Sequence, residues 1–311
     1  MIDPGVAAIL PRLNEGFPRV ETMSAPAARA AIRARLQPDP EPVPVARVHD
    51  RTVPGPGGEI PVRIYWPLDR DTDETARALI VFAHGGGFVF CDLDSHDDLC
   101  RSMANGAGAV VVSVAYRRAP EHPWPAAAHD VHAVTMWASE VATDLGADSE
   151  RLIVAGDSAG GNLAAVASLL AREAGEPRIR AQALLYPVVA ADFTSDSYVR
   201  FADGHYNTAA AMKWYWDQYV PEPADRIHPH ASPIRADLAG LPPTLVITAG
   251  YDPLWSEGAD LARALAAAGV RTVHHDHAGA IHGFMTMPVL DLCEAARKQA
   301  WTDLRALADQ D

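Results

Sequence analysis

Short apolar segments that alternate with segments of helix length constrain the fold of this chain more than any other feature. The apolar segments are rich in β-branched residues, as in ALIVFAH from Ala78 and AVVVSVAY from Ala109. Continuous apolar runs of this length suit strands that are buried on both faces of a mostly parallel sheet. Three further runs follow: RLIVAG, AQALLYP and PTLVITAG. Their alternation with helices predicts an α/β fold, with a mostly parallel central sheet flanked by helices.

The segments between the apolar runs have the length and composition of helices. They are SHDDLCRSMANGAG, residues 126–140, NLAAVASLLAREAG and WSEGADLARALAAAG. Upstream, residues 48–53 and PVRIYW are interpreted as a pair of strands, because the turn-forming PGPGG separates them.

Two segments lie outside this alternation. Residues 188–235 contain no buried strand and carry an aromatic, proline-flanked block, KWYWDQYVPEP. So long a connection is expected to contain its own helices, and we interpret it as an inserted cap. Residues 1–45 begin as helix, with Ser24 a candidate N-cap and Pro26 in the first turn, and continue into the extended QPDPEPVPV. We expect this N-terminal segment to join the cap.

The charge and cysteine content argue against several classes of protein. The 311 residues carry a formal net charge of −14, which disfavours binding to nucleic acids and to anionic membranes. The three cysteines, an odd number at wide spacing, fit neither a disulfide framework nor a zinc knuckle. The sequence has no signal-peptide pattern at its start and no apolar run long enough to span a membrane. These features predict a cytoplasmic protein.

GDSAGG, residues 156–161, lies between the predicted strand RLIVAG and the predicted helix NLAAVASLL. G-x-S-x-G at a strand–turn–helix junction is a nucleophile elbow, which exposes a serine hydroxyl on a tight turn. Gly156 and Gly160 leave room for neighbouring backbone, and the amides at the helix start point at the reacting oxygen. Ser158 is therefore the predicted nucleophile.

HGGGF, residues 84–88, directly follows the strand ALIVFA. Three consecutive glycines cost conformational entropy, so they indicate that bare backbone amides approach a ligand. Acyl transfer develops negative charge on a carbonyl oxygen, which preorganised N–H donors stabilise. In lipases and esterases this motif forms such an oxyanion hole together with the N–H of the residue after the nucleophile, here Ala159.

An acid and a base are expected after the serine, in the order Ser, Asp, His. Asp252 follows the strand PTLVITAG, and His282 follows the strand-like RTVHHDH. Both lie at predicted strand ends, where loops of an open α/β sheet carry functional sites. His282 is the candidate base for Ser158, and Asp252 would fix the tautomer of His282 and stabilise its imidazolium.

The histidine-rich HHDH could instead indicate a metal site. His274, His275 and His277 lie within a predicted strand, however, where neighbouring side chains point to opposite faces. Because such an arrangement makes a poor chelate, we predict no metal.

Together the motifs resemble the hormone-sensitive-lipase-like esterases, in the bacterial branch with a GDSAGG elbow. HGGGF, YRRAPEHPWPAA, GDSAGG, DPL and HGF occur in family order, and the resemblance covers nearly the whole chain from about residue 45. It implies an α/β-hydrolase fold that hydrolyses esters of short to medium acyl chains without a metal or cofactor. Residues 46–311 would be the catalytic domain, with the cap insertion at about 188–235 and an N-terminal cap segment at 1–45.

The resemblance also implies roles for individual residues. The oxyanion hole would be formed by the backbone amides of Gly86, Gly87 and Ala159. His84 would brace the glycine loop. Around the site, a supporting layer would comprise Asp157, Tyr116 and Glu257. Because relatives often pair through a sheet edge, the resemblance also suggests a homodimer.

Four residues depart from the family pattern. Cys91 stands where glycine is usual, and Arg118 replaces a usual leucine in the YRLAPE-like segment. Trp255 and Ser256 occupy positions after DPL that are often charged. Trp255 would either reshape the pocket or pack at a helix start.

Phe88, beside the oxyanion loop, is the best candidate for substrate contact. The aromatic residues of the cap could line the pocket too, but a stripe with helical spacing more often packs in a core. They are Trp214, Tyr215, Trp216 and Tyr219.

The expected activity is hydrolysis of a small-molecule ester through an acyl-enzyme on Ser158. Two alternatives stay open. A ligand-binding protein can use the same scaffold, as related plant hormone receptors do, although here all three triad residues are present. An amidase, lactonase or deacetylase would use the same triad, because pocket shape selects the leaving group.

Overall fold

The computed structural model describes residues 1–36, 41–68 and 77–309. In these ranges eight strands form one sheet, and nine α-helices accompany it. The strands are β1 (Arg47–Gly55), β2 (Gly58–Trp66), β3 (Arg77–Ala83), β4 (Val110–Val114), β5 (Ala147–Asp157), β6 (Ala181–Leu185), β7 (Thr244–Tyr251) and β8 (Thr272–Ile281). The helices are α1 (Pro4–Gly16), α2 (Ala25–Arg33), α3 (Asp97–Ala107), α4 (Ala126–Glu140), α5 (Ala159–Ala174), α6 (Asp196–Arg200), α7 (Ala209–Tyr219), α8 (Trp255–Ala267) and α9 (Asp291–Ala308).

The sheet has the strand order β1-β2-β4-β3-β5-β6-β7-β8. The predicted strand pair is the antiparallel hairpin β1–β2, and β2 also pairs antiparallel with β4, whereas the other neighbours are parallel. The prediction of a mostly parallel α/β sheet is therefore confirmed. In the parallel pair β3–β5, Ala83 lies opposite Gly156, so the loops that follow these two strands are neighbours.

Helices cover both faces of the sheet, which explains the continuous apolar runs. Within β3, Leu79 and Val81 pack in one core with residues of α4, α5 and α8. Ile80 and Phe82 pack in the other core with residues of α3 and α9. Because successive strand residues point to opposite faces, both sets must be apolar. The four helices predicted between the strands coincide closely with α3, α4, α5 and α8.

The N-terminal segment and the 188–235 insertion, which we predict to form a cap, contact each other. Asn14 of α1 donates from Nδ2 to the Gly204 carbonyl and accepts from the Tyr206 amide, both at 2.8 Å. The rings of Phe17 and Tyr206 meet edge to face at 5.0 Å. These contacts fix the start of the chain against a segment about 190 residues away in sequence.

Two details of the N-terminal segment refine the sequence interpretation. Ser24 is the N-cap residue of α2, but its side chain forms no capping hydrogen bond. Residues 41–45 of the proline-rich connection have no helix or strand, and residues 37–40 lie outside the described ranges, as do the last two residues of the predicted catalytic domain. Within those ranges, no helix has both the length and the apolar character needed to cross a membrane.

Gly160→Ala is expected to destabilise the protein strongly. A Cβ atom at position 160 would press on the Ala83 carbonyl and lie 2.7 Å from the His84 carbonyl oxygen. Because these are backbone groups at the end of a central strand, they cannot yield without disturbing the sheet. We expect the free energy of unfolding to fall by about 3 kcal/mol, measured by denaturant titration.

Gly108→Ala is the matched control for this variant. Gly108 has a φ of +64° and open space around its Cα, so alanine there introduces backbone strain without a clash. That strain costs about 1–2 kcal/mol. Equal losses of unfolding free energy in Gly160→Ala and Gly108→Ala would contradict the explanation that a Cβ atom at position 160 clashes with the backbone of β3.

Candidate active site

Ser158 lies at the sharp turn between β5 and α5, as predicted. Its φ of 55° and ψ of −117° are rare for a residue with a side chain. Strained backbone of this kind is held in place only when the surrounding structure determines it, and it is concentrated at functional sites. The helix α5 begins at Ala159, so its first amides adjoin the serine.

The structure brings Ser158, His282 and Asp252 into one hydrogen-bonded row. His282 Nε2 lies 2.8 Å from Ser158 Oγ, and His282 Nδ1 lies 2.6 Å from Asp252 Oδ2. Asp252 is fully buried, and its Oδ1 accepts the Leu254 amide at 3.0 Å. Since an ionised carboxylate can only accept, Nδ1 carries a proton and Nε2 is free to accept the serine proton. The row can therefore remove a proton from the serine hydroxyl.

The sheet topology places the three residues at the carboxyl ends of the strands. Each residue is the first after a parallel strand: Ser158 follows β5, Asp252 follows β7 and His282 follows β8. In the sheet, β7 and β8 are neighbours, and β6 lies between β5 and β7. The carboxyl ends of these strands lie on the same side, so their loops converge there. His274 and His275 remain within β8 and point elsewhere, to Thr248 and Asp303 respectively.

The glycine loop after β3 is held by hydrogen bonds to the His84 carbonyl, the Gly85 amide and the Gly85 carbonyl. The Tyr116 hydroxyl donates to the His84 carbonyl at 2.7 Å, and His84 Nδ1 lies 2.7 Å from the Gly85 carbonyl. The Gly85 amide donates to Asp157 Oδ1 at 2.7 Å. Gly86 and Gly87 then have φ of +109° and +57°, which favour glycine. The supporting contacts expected for His84, Tyr116 and Asp157 are thus present.

Sequence reasoning missed His96, which completes this support. Its side chain is 5% exposed, and Nε2 lies 3.1 Å from Asp157 Oδ1. Nothing in the sequence distinguishes it, because it is one of 13 histidines and lies in no recognised motif. Only the packing of the α3 start against the end of β5 reveals it.

His96 lies between Asp157 and Ser95 and contacts both. Its Nε2 lies 3.1 Å from Asp157 Oδ1, which also accepts the Gly85 amide. On the other side of the ring, Nδ1 lies 3.0 Å from Ser95 Oγ. The ring is thus held from both sides.

The surroundings of this pair stabilise the Asp157 carboxylate. Burial alone would raise the pKa of Asp157, but the pKa is lowered overall because His96 and the Gly85 amide stabilise the carboxylate. Burial, and next the neighbouring His96, lower the pKa of His84 to about 3. His84 is therefore neutral.

A cavity of about 100 Å³ lies over Ser158 and His282. Residues of the N-terminal segment and the insertion form much of its wall: Phe17, Tyr206, Asn207, Met212 and Tyr215. Tyr215 is therefore a cavity residue, whereas Trp216 and Tyr219 are fully buried in the core, as the spacing of the aromatic stripe suggested.

The placement of Phe88 does not support its predicted contact with substrate. Phe88 is fully buried and stacks on Tyr219 with ring centroids 3.7 Å apart, whereas Phe90 lines the cavity. The reason is local backbone geometry: the amides of Val89 and Phe90 both bond to the Gly86 carbonyl at 3.0 Å, and this turn brings residue 90 back to the site.

The residues that depart from the family pattern have distinct placements. Cys91 has a φ of +64° and lines the cavity, and its carbonyl accepts from Arg118 Nη1 at 2.6 Å. The two departures therefore contact each other. Trp255 donates from its indole to Asp276 at 2.9 Å and is not among the residues around the catalytic cavity, which fits packing at the start of α8. Ser256 bonds to Ser197 of α6.

Glu257 supports the insertion rather than the row of Ser158, His282 and Asp252. Its Oε1 accepts the amides of Val189 and Ala190, at 2.6 and 3.3 Å. Burial raises the pKa of this carboxyl well above its usual range. In the ranges that the structure describes, no group of three or more histidine, cysteine or acidic side chains could hold a metal ion.

His96→Gln is expected to destabilise the protein in a pH-dependent way. At neutral pH the variant leaves the Asp157 carboxylate buried without its His96 partner, which costs about 3 kcal/mol of unfolding free energy. In the wild type the pKa of Asp157 is depressed, so its contribution is present above the unfolded pKa of about 3.9 and is lost as the pH falls. In the variant, burial raises that pKa, and protonation on acidification relieves the penalty.

The measurement is denaturant unfolding of both proteins from pH 7.5 down to about pH 4.5. The difference in unfolding free energy between wild type and His96→Gln should be largest at pH 7.5 and should decrease on acidification. His275→Gln is the control, because His275 pairs with Asp303 near the surface, where such pairs contribute about 0–1 kcal/mol. A difference in unfolding free energy between wild type and His96→Gln that stays constant with pH would rule out stabilisation of the Asp157 carboxylate by His96.

Comparisons with known proteins relate this geometry to a family. A family model of the alpha/beta hydrolase fold matches residues 80–286. The esterase LipI of Mycobacterium tuberculosis is 44% identical over 260 residues, which cover 82% of this chain and 81% of LipI. The ethyl acetate hydrolase of Pseudomonas putida is 40% identical over 235 residues, covering 74% of this chain and 73% of that enzyme.

A solved structure agrees along the whole chain. The crystal structure of a thermostable esterase from Pseudomonas putida matches with a TM-score of 0.91 at 38% identity, and the match covers 100% of this chain and 98% of that one. The α/β-hydrolase fold predicted from the motifs is thereby confirmed. The chain belongs to the alpha/beta-hydrolase family, in the hormone-sensitive-lipase-like group of esterases that its motifs predict.

Proposed function

We propose that this chain is a carboxylic ester hydrolase in which Ser158 is the nucleophile, His282 the general base and acid, and Asp252 the residue that orients His282. The observation that carries the proposal is the row of hydrogen bonds from Ser158 through His282 to buried Asp252. The esterases among the relatives, including the ethyl acetate hydrolase, support ester hydrolysis as the reaction.

The reaction follows from these contacts. His282 Nε2 takes the hydroxyl proton while Ser158 Oγ attacks the ester carbonyl carbon, and the carbonyl oxygen becomes an oxyanion. His282 then gives the proton to the leaving alcohol, which departs and leaves an acyl-enzyme. Water attacks the acyl carbon, giving a proton to His282, and the proton returns to Ser158 as the carboxylic acid leaves.

The amides of Gly86, Gly87 and Ala159 are the proposed oxyanion hole. Among the described residues, these three N–H groups have no hydrogen-bond acceptor, although all three residues lie beside Ser158 or in the braced loop. Buried backbone donors are nearly always paired, so unpaired donors at this place support a role in binding a developing charge.

The small cavity supports short to medium acyl chains as substrates. Its volume of about 100 Å³ is well below the about 300–1,000 Å³ of pockets for drug-sized ligands. We propose that the N-terminal segment and the insertion together form the cap that bounds this space, since both contribute to its wall. The cytoplasmic location and the homodimer inferred from the sequence stay predictions.

Ser158→Ala tests the nucleophile and also separates an esterase from a ligand-binding protein. Wild type should hydrolyse p-nitrophenyl butyrate and react covalently with a fluorophosphonate probe. The variant should lose on the order of 10⁶-fold in kcat and show no labelling. A folded wild-type protein that neither turns over a panel of acyl esters nor labels would favour the ligand-binding alternative.

Asp252→Asn tests the orienting role without removing the buried hydrogen-bonding group. The asparagine amide can donate to His282 Nδ1 and stabilise the wrong tautomer, so kcat should fall on the order of 10³–10⁴-fold. Steady-state kinetics and a thermal melt measure activity and folding in the same samples. A variant with near wild-type kcat would contradict the assignment of Asp252.

The acyl-chain preference can be measured with p-nitrophenyl esters from acetate to palmitate. We expect the highest kcat/KM at short to medium chains, because the space beside Ser158 is small. Highest activity on palmitate would contradict this interpretation of the cavity.

A further inference from the structure

A second cavity, of about 570 Å³, adjoins the catalytic one. Both are lined by the same five residues: Phe17, Phe90, Cys91, Tyr206 and Thr286. The two cavities therefore share part of their walls, and the residues around the second cavity lie close to Ser158.

The wall of the second cavity is rich in arginine, although the whole chain carries a net charge of −14. Two of its arginines are neutralised by carboxylates. Arg29 pairs with Glu121 at 2.7 Å, and Arg33 pairs with Asp92 and with Asp94.

The other two arginines of this wall have only carbonyl partners. Arg118 Nη1 donates to the Cys91 carbonyl at 2.6 Å, and Arg35 donates to the Gly16 carbonyl. Within the described part of the chain, neither guanidinium forms an ion pair with a carboxylate, and Arg118 Nε and Nη2 have no acceptor. The charge of Arg118 does reach Glu121, whose pKa is lowered chiefly by Arg29 and in smaller part by Arg118. Arg118 is half-buried and Arg35 is exposed, so Arg118 is screened less by solvent.

We propose that Arg118 forms an anion subsite, so that the enzyme accepts esters that carry a carboxylate group. The free Nε–Nη2 edge of the guanidinium matches a carboxylate in a bidentate pair. Arg35, on the same cavity wall, adds to the positive potential. This inference rests on the proposed ester hydrolysis and names the substrate class for that reaction.

The position of Arg118 links the subsite to the reacting atoms. Arg118 contacts Cys91, and Cys91 lines the catalytic cavity together with Gly86 and Ser158. The anion would therefore bind one residue away from the wall of the catalytic cavity, while the scissile ester lies at Ser158. A carboxylate separated from the ester by several bonds fits this arrangement.

The test compares an anionic ester with a neutral one of similar length. The substrates are monoethyl adipate and ethyl hexanoate, which differ by a terminal carboxylate, and hydrolysis is followed in a pH-stat. In Arg118→Gln the ratio of kcat/KM for the adipate to that for the hexanoate should fall about 10-fold, because the variant loses a charge-assisted bidentate pair. The loss should be mainly in KM for the adipate.

Two further variants sharpen the result. Arg118→Lys keeps the charge but loses the planar fork, so the ratio should fall less than in Arg118→Gln. Arg12→Gln removes the same charge from an exposed position on α1 outside both cavities and should leave the ratio unchanged.

The wild-type ratio should also decrease as salt is raised, since ions screen a partly exposed charge.

The outcomes separate this inference from the proposed function. The anion subsite is wrong if wild type hydrolyses ethyl hexanoate but not monoethyl adipate, or if Arg118→Gln lowers kcat/KM equally for both substrates. In either case the proposed ester hydrolysis stands. An equal loss would assign Arg118 to bracing Cys91 alone. If wild type hydrolyses neither ester nor any p-nitrophenyl ester, the proposed function itself fails.

Discussion

The parallel register between β3 and β5 is the constraint on which the site depends. With Ala83 opposite Gly156, the glycine loop and the serine turn leave the sheet side by side. Gly156 and Gly160 permit this approach, since a side chain at either position would press on neighbouring backbone. Asp157 then joins the two loops by accepting the Gly85 amide, one residue before the serine. The same buried carboxylate also contacts His96, at 3.1 Å from Nε2.

Polar contacts link the N-terminal segment to the residues that hold the glycine loop. Arg33 of α2 pairs with Asp92, Asp92 bonds to Ser95, and Ser95 bonds to His96. The N-terminal segment thus contacts the same network that holds the glycine loop. The exposed Arg33 pair is screened by solvent and contributes little stability, whereas the buried His96–Asp157 pair fixes the loop geometry. The geometry of the glycine loop therefore depends on this buried contact more than on the exposed ion pair of Arg33.

The two proposals assign different roles to the two cavities. The small one over Ser158 would hold the reacting ester, and the larger one beyond Phe90 and Cys91 would hold the anionic end of the substrate. Arg118 and Cys91, two departures from the family pattern, contact each other where the cavities adjoin. The Arg118 guanidinium donates to the carbonyl of Cys91, a residue held at positive φ.

The sequence by itself determined the sheet, the elbow and the order of Ser158, Asp252 and His282, because strand burial, glycine turns and chain order are local signals. Only the tertiary structure decided which residues from distant segments contact each other. Phe90 rather than the predicted Phe88 lines the cavity, because one turn of backbone decides which ring faces the site. It also revealed His96 and the adjoining arginine-lined cavity. Contacts of this kind depend on how helices and loops pack, and no residue pattern in a single sequence encodes them.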